Sequence, residues 1–139
     1  MKNRFPRIEE KIADKFFLVS ENETPIIDTN YVLLEKKIEG CQMILEEFVD
    51  FKITEDIVLL TAEHMDEVHA LIWLVMPGFY RKRGFEMGTY FGIYKDDTLV
   101  SITGQRMQTD DFVEISGVVT HPDHTRNGYA RQLIAHTTK

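Results

Sequence analysis

The sequence has few of the features that mark secreted or membrane-spanning proteins. It contains one cysteine, Cys41, so no internal disulfide can form, which fits a reducing cytoplasm. We expect this cysteine to be a small buried side chain. No apolar run reaches the roughly 18 residues of a membrane span, and charges interrupt the amino terminus where a signal peptide would be apolar. The sequence therefore predicts a cytoplasmic protein without membrane contacts.

Basic residues are too few for a nucleic-acid-binding surface. Lys and Arg number 16 against 23 Asp and Glu, which gives a formal net charge of −7 at pH 7. We expect no nucleic-acid partner, because contacts to a phosphate backbone need an excess of Lys and Arg. A local basic pocket for a phosphorylated ligand remains compatible with this balance. The length of 139 residues and the 43% of hydrophobic residues predict one globular domain spanning residues 1–139.

The hydrophobic pattern predicts strands and helices joined by short connections. It is clearest after residue 57, where the short loops between strands predict an antiparallel meander. Residues 35–50 follow neither the helical nor the strand period. The predicted elements are strands at Phe16–Val19, Pro25–Leu34 and Ile57–Leu60, a helix capped by Thr61 and ended by Pro77-Gly78, strands at Thr89–Tyr94, Leu99–Met107 and Phe112–Thr120, and a helix from Gly128.

The segment Val118–Arg131, with the sequence VVTHPDHTRNGYAR, carries the clearest chemistry. In it a strand ends in a polar loop, and a helix is predicted to begin at Gly128. Glycine accepts a positive φ and lets a ligand approach the backbone, while the free amides of a helix N-terminus favour an anion. Arg126 and Arg131 add positive charge at the same place. The segment suits a pyrophosphate, although an ordinary strand-to-helix connection has the same form.

This order of elements and motifs resembles the GNAT N-acetyltransferase superfamily, and most closely its predicted-acetyltransferase branch related to the glycine N-acyltransferases. The superfamily signature, Gln/Arg-x-x-Gly-x-Gly/Ala, falls on residues 125–130, with Thr125 where Gln or Arg is usual. The resemblance is strongest over residues 60–139, and residues 1–59 are expected to form an N-terminal extension of the same domain. It implies an α/β (α+β) fold with a mixed, mostly antiparallel sheet flanked by helices.

The same resemblance implies acetyl-CoA as cosubstrate, no metal, and an amine acceptor that is a small molecule or a peptide; a homodimer is compatible with it. Backbone groups at the end of the last strand would pair with the pantetheine arm as an added strand does, and amides of the loop and helix would hold the pyrophosphate. The residues expected to bind CoA are Val118, Val119, Thr120, Thr125, Arg126, Asn127, Gly128, Tyr129, Ala130 and Arg131.

For catalysis, the resemblance places a base on the strand beside the thioester. Glu114 is the only carboxylate in that predicted strand, so it is the candidate base; the alternative is a solvated or ion-paired glutamate. Direct transfer needs no covalent intermediate, so Cys41 has no required role. A complete domain of this kind continues with further strands and a helix that supplies a tyrosine acid. We therefore expect a fragment, which a reading frame continuing past Lys139 would support and a native stop codon there would refute.

Other interpretations of the sequence remain open. A non-catalytic acyl-CoA-binding or sensor module would keep the same loop, as would a phosphate- or nucleotide-binding domain. His121 and His124 have part of a zinc-site spacing, but no second pair of ligands accompanies them. The basic run Arg81-Lys82-Arg83 fits a solvated loop or a surface that attracts an acidic acceptor or the CoA 3′-phosphate. Five aromatic residues fit core packing or an acceptor pocket, namely Phe79, Tyr80, Phe85, Tyr90 and Phe91.

Overall fold

The computed structural model describes Leu18, Ser20 and residues 25–78, 80 and 82–138. The described residues form two units, one ending at Met43 and the other beginning at Ile44. The predicted strand at residues 16–19 lies, apart from Leu18, outside the described residues, as do Phe79 and Arg81. In the described part of the chain, no helix is both long enough and apolar enough to cross a membrane.

In the first unit, residues 29–31 form a turn, and the rest of residues 25–43 have no regular secondary structure. The predicted strand Pro25–Leu34 is therefore wrong. Asp28 explains the difference, because its side chain accepts a hydrogen bond from the amide of Asn30 (3.0 Å) and its carbonyl accepts from Tyr31 (3.1 Å). Such local bonds compete with a strand ladder. The prediction of a buried Cys41 is also wrong, since its side chain is exposed.

The second unit is built on a four-stranded sheet with the strand order of the chain itself. All pairings between the described strands are antiparallel, which confirms the predicted meander. Short 3₁₀ helices lie at Ala62–His64, Lys82–Met87 and Pro122–His124. The longer elements are β1 (Val58–Leu60), α1 (Met65–Val75), β2 (Tyr90–Lys95), β3 (Thr98–Gln108), β4 (Val113–Thr120) and α2 (Tyr129–Thr137).

The turns of the meander follow from their sequences. Between β2 and β3, Asp96 and Asp97 both have positive φ, 48° and 59°, as in the two-residue turns whose twist matches that of paired strands. Between β3 and β4, the amide of Thr109 donates to the carbonyl of Phe112 (2.8 Å), and the amide of Phe112 donates to the hydroxyl of Thr109 (3.1 Å). Both turns occur where the polar residues of the sequence predict them.

Two hydrophobic clusters hold α1 and α2 against the sheet. Neighbouring residues of a strand point to opposite faces, so Tyr90 packs with the α1 cluster while Phe91 packs with the α2 cluster. The α1 cluster includes Val68, Leu71, Ile72, Ile102 and Val119, and the α2 cluster includes Ile93, Val100, Tyr129 and Leu133. This packing fixes the end of β4 and the start of α2 relative to each other.

A first prediction tests this core. Ile72 is 1% exposed, and Ile72→Val should lower the free energy of unfolding by about 0.5–1.5 kcal/mol, because the lost methylene leaves a cavity. Ile134, 40% exposed on α2, provides the matched control, and Ile134→Val should have a smaller effect. Chemical denaturation of the two variants measures the difference. Equal losses would contradict the assignment of Ile72 to the core.

Candidate functional site at the junction of β4 and α2

The chain makes a tightly bonded turn between β4 and α2. The amide of His124 donates to the carbonyl of His121 (2.9 Å), and the side-chain amide of Asn127 donates to the carbonyl of His124 (3.0 Å). The first helical bond of α2 runs from the amide of Gln132 to the carbonyl of Gly128 (3.2 Å). The backbone amides before Gln132, in the first turn of α2, have no carbonyl acceptor within the helix, as at the start of any α-helix.

Two residues of this turn adopt left-handed backbone conformations. Gly128, the N-cap of α2, has φ 78°, and Arg126 has φ 67°. A non-glycine residue in this region is strained by about 1–3 kcal/mol and occurs most often at functional sites. Turns that combine left- and right-handed residues direct successive amides toward one concave surface that binds anions. The backbone here therefore has the form of an anion site.

A pocket of about 300 Å³ lies at this junction. It brings together eight of the ten residues that the sequence predicts for CoA, namely Thr120 and the run from Thr125 to Arg131. His124 lines the same pocket and was not among the predicted residues. The side chain of Tyr129 is buried in the α2 cluster, so only its backbone is available to a ligand.

The electrostatics of the pocket differ from those of the rest of this acidic protein. Arg83, Lys95 and Arg106 each pair with a glutamate. Among the described residues, Arg126 and Arg131 have no carboxylate partner, and both residues line the pocket. Unpaired guanidinium groups beside free helix amides favour a phosphate-bearing ligand. The pocket therefore carries positive charge, although the protein as a whole has a formal net charge of −7.

The end of β4 presents a free edge within the described sheet, because β3 is its one described neighbour. Gly117 has φ 63° where the pairing of β3 with β4 shifts register, so β4 is bulged there. The amide of His121 donates to the carbonyl of Val100 on β3 (2.8 Å). The backbone N–H and C=O groups of successive residues point to opposite sides of a strand. Because the His121 amide points toward β3, the N–H and C=O of Thr120 point toward the free edge, where an extended ligand could pair as an added strand.

The two remaining predicted residues have different surroundings. Val119 is 2% exposed, and its carbonyl accepts a hydrogen bond from the hydroxyl of Ser101 (3.0 Å). Val118 is exposed beside the bulge. The structure therefore places Val118 and Val119 next to the pocket on β4 but outside its lining.

Glu114, the predicted base, pairs with Arg106 across β3 and β4. Both carboxylate oxygens accept from the guanidinium, with distances of 3.1 Å from Nε and 2.5 Å from Nη2. Such a fork fixes the carboxylate in one orientation. The structure therefore shows Glu114 as an ion-paired glutamate, and its catalytic role stays a prediction.

Three of the aromatic residues singled out in the sequence pack together on the α1 face of the sheet. The ring of Tyr90 covers Gly104 on β3, since a Cβ there would lie 2.4 Å from the ring. Phe85 stacks on Tyr90 with ring centroids 4.9 Å apart. Burial raises the pKa of the Tyr80 and Tyr90 hydroxyls, so both are neutral near pH 7. Tyr80 and Phe85 thus pack against the α1 cluster, of which Tyr90 is a buried member.

The two loop histidines interact with their own loop. The ring of His121 accepts a hydrogen bond at Nδ1 from the amide of Asp123 (3.2 Å), and the rings of His121 and His124 meet edge to face at 5.6 Å. Among residues 25–78, 80 and 82–138, no group of three or more His, Cys, Asp or Glu side chains is placed to hold a metal ion.

Comparison with known proteins agrees with this architecture. The family model described as acetyltransferase (GNAT) family matches residues 46–139. A GNAT-family protein from Novosphingobium aromaticivorans is 28% identical, with a TM-score of 0.59 over 65% of this chain and 40% of its own. N-acetylglutamate synthase from Neisseria gonorrhoeae, solved with coenzyme A and N-acetyl-glutamate, is 18% identical, with a TM-score of 0.52 over 63% of this chain and 22% of its own. No curated protein matches the sequence.

The chain thus spans less than half the length of either of these two solved proteins. An aminoglycoside N-acetyltransferase solved with CoA shares the fold at 18% identity, with a TM-score of 0.50 over 65% of this chain and 70% of its own. These similarities confirm the predicted α/β fold. Because the family model matches more than half of the sequence, the chain belongs to the GNAT family of acetyltransferases.

Proposed function

We propose that the chain binds acetyl-CoA at the junction of β4 and α2 and belongs to an N-acetyltransferase that transfers the acetyl group directly to an amine. The observation that carries the proposal is the pocket that collects Thr120 and residues 125–131, including two arginines without a carboxylate partner among the described residues. The loop amides and the first turn of α2 would hold the pyrophosphate. Thr120 would pair through its backbone with the pantetheine arm, as an added strand.

In this proposal the amine attacks the thioester carbonyl, the amide bond forms, and CoA leaves as the thiolate. A base must take one proton from the amine nitrogen, and Glu114 on β4 is the candidate. The acceptor is a small amine or a peptide amine. The branch related to the glycine N-acyltransferases is part of the proposal and rests on the sequence motifs. A cytoplasmic location is also part of it and rests on the single cysteine and the lack of a long apolar run.

A second candidate function is a non-catalytic acyl-CoA-binding module. The specific observation that favours it is the fork between Arg106 and Glu114, which engages both oxygens of the proposed base. Catalysis requires that the acceptor amine displace or share one of these bonds. The two functions predict the same affinity for CoA and differ in turnover.

Calorimetric titration with CoA and with ATP tests the binding step. We expect saturable binding of CoA and a rise of Tm with CoA concentration, because a ligand that binds only the folded state stabilises it by mass action. Absence of CoA binding, or stronger binding of ATP, would contradict the proposal. Release of free thiol from acetyl-CoA in the presence of an amine panel then separates the enzyme from the binding module.

A further inference from the structure

A segment far from the motif in sequence reaches one of the pocket arginines. The guanidinium carbon of Arg131 lies 4.1 Å from the centroid of the Phe51 ring. Both residues belong to the unit that begins at Ile44. The contact joins a residue 80 positions upstream to the proposed phosphate site (131 minus 51).

Hydrogen bonds to α2 hold the segment that bears Phe51. The side-chain oxygen of Gln132, a residue only 6% exposed, accepts from the amide of Thr54 (2.7 Å) and from the amide of Glu55 (3.0 Å). Gln132 directly follows Arg131, so the segment and the arginine are fixed to the same turn of α2. These bonds place the Phe51 ring beside Arg131 independently of any ligand.

One acidic side chain of this segment, Glu55, forms an ion pair of its own. Glu55 pairs with Lys95 at 2.5 Å, so its carboxylate is engaged on the side of β2. Arg131 has the aromatic ring of Phe51 as a neighbour. An aromatic ring contacts the face of a guanidinium, whereas its N–H donors lie in the plane of the group. Stacking on Phe51 leaves these donors free, in contrast to the fork that Glu114 occupies on Arg106.

We propose that Phe51 is a positioning residue for Arg131, which it holds ready to bind a phosphate group of the ligand. The inference rests on the proposed function. A flexible arginine must lose side-chain freedom when it binds an anion, and a stacked arginine has already lost part of it. The phosphate is either part of the pyrophosphate or the 3′-phosphate of CoA, since both groups present anionic phosphate oxygens that Arg131 can bind.

Titration calorimetry of the variants with CoA and with 3′-dephospho-CoA tests the proposal. Phe51→Leu should weaken CoA binding by about two- to tenfold, the cost of ordering one long side chain on binding. Phe51→Trp, which keeps an aromatic face, should retain the affinity. Phe48→Leu is the matched control, because Phe48 is 47% exposed in the same segment and its ring stacks on no described residue.

Arg131→Met and the double variant decide whether Phe51 acts through Arg131. With Met at position 131, Phe51→Leu should cause no further loss of affinity. Equal loss in both backgrounds, or unchanged affinity of Phe51→Leu in the wild type, would overturn the inference. A smaller effect with 3′-dephospho-CoA assigns Arg131 to the 3′-phosphate, and an equal effect assigns it to the pyrophosphate. Failure of the unmodified protein to bind CoA would instead refute the proposed function itself.

Discussion

Glu114→Gln is expected to lower the rate of acetyl transfer by about 10²- to 10⁴-fold, the usual contribution of a general base. The amide keeps the size and shape of the carboxylate but cannot take a proton from the amine. Glu114 lies on β4 several residues before the pocket, so the affinity for acetyl-CoA should change little. Initial rates of thiol release and a separate CoA titration measure the two effects.

Glu86→Gln is the matched control for this variant. Glu86 also pairs with an arginine, Arg83, at 3.2 Å, but it lies in the exposed 3₁₀ helix before β2. Its replacement should leave the rate unchanged. Arg106→Gln provides a second comparison, because it removes the fork while keeping the carboxylate. If Glu114→Gln and Arg106→Gln lowered the rate equally, the ion pair would be structural, and an unchanged rate in Glu114→Gln would rule out the base.

Gly128→Ala is expected to weaken CoA binding by at least about fivefold and to lower stability by about 1–3 kcal/mol. No other atom lies within 4 Å of a Cβ built on Gly128, so steric exclusion by the protein is not the cause. The cost arises from φ 78°, which alanine adopts only with strain. If the turn relaxes to relieve that strain, the amides of α2 move out of the anion site.

Gly78→Ala separates strain from ligand binding. Gly78 follows α1, has φ 87°, and likewise has no atom within 4 Å of an added Cβ. The two substitutions should therefore lower Tm by similar amounts, whereas only Gly128→Ala should weaken CoA binding. Calorimetry and thermal denaturation of both variants provide the comparison. Equal affinities in the two variants would contradict the assignment of the α2 N-terminus as the phosphate site.

The part of the fold that short-range patterns determine could be predicted from the sequence. The meander from β2 to β4 follows from runs of β-branched residues separated by Asp96-Asp97 and by residues 109–112. The turn that precedes α2 could be predicted from Gly128, because its φ of 78° requires either glycine or a strained residue. The pocket therefore coincides with the motif, because consecutive residues of one strand, loop and helix line it.

Contacts between distant residues could not be predicted in the same way. Nothing near Phe51 in the sequence indicates that its ring meets Arg131, because the contact depends on how residues 54 and 55 bond to Gln132. The pairing of Arg106 with Glu114 could have been found from the register of the β3–β4 hairpin, in which Gln105 faces Ile115.

Two predictions in the first unit, a strand at Pro25–Leu34 and a buried Cys41, are wrong because they rest on residue patterns and not on contacts between distant residues. Apolar residues between positions 25 and 34 satisfy a strand pattern, but a strand needs a partner and the local bonds of Asp28 favour a turn. The general preference of cysteine for burial predicts a buried Cys41, but its side chain is exposed in a stretch without helix or strand. Residue preference alone does not determine burial.

The central claim is that the junction of β4 and α2 binds CoA. The most direct test follows the backbone amide resonances of the protein during a CoA titration. We expect saturable shifts that are largest for Thr120 and for residues 125–131, with the Arg126 and Gly128 amides among the most affected. Shifts confined to other parts of the chain, or no saturable change at all, would contradict the account.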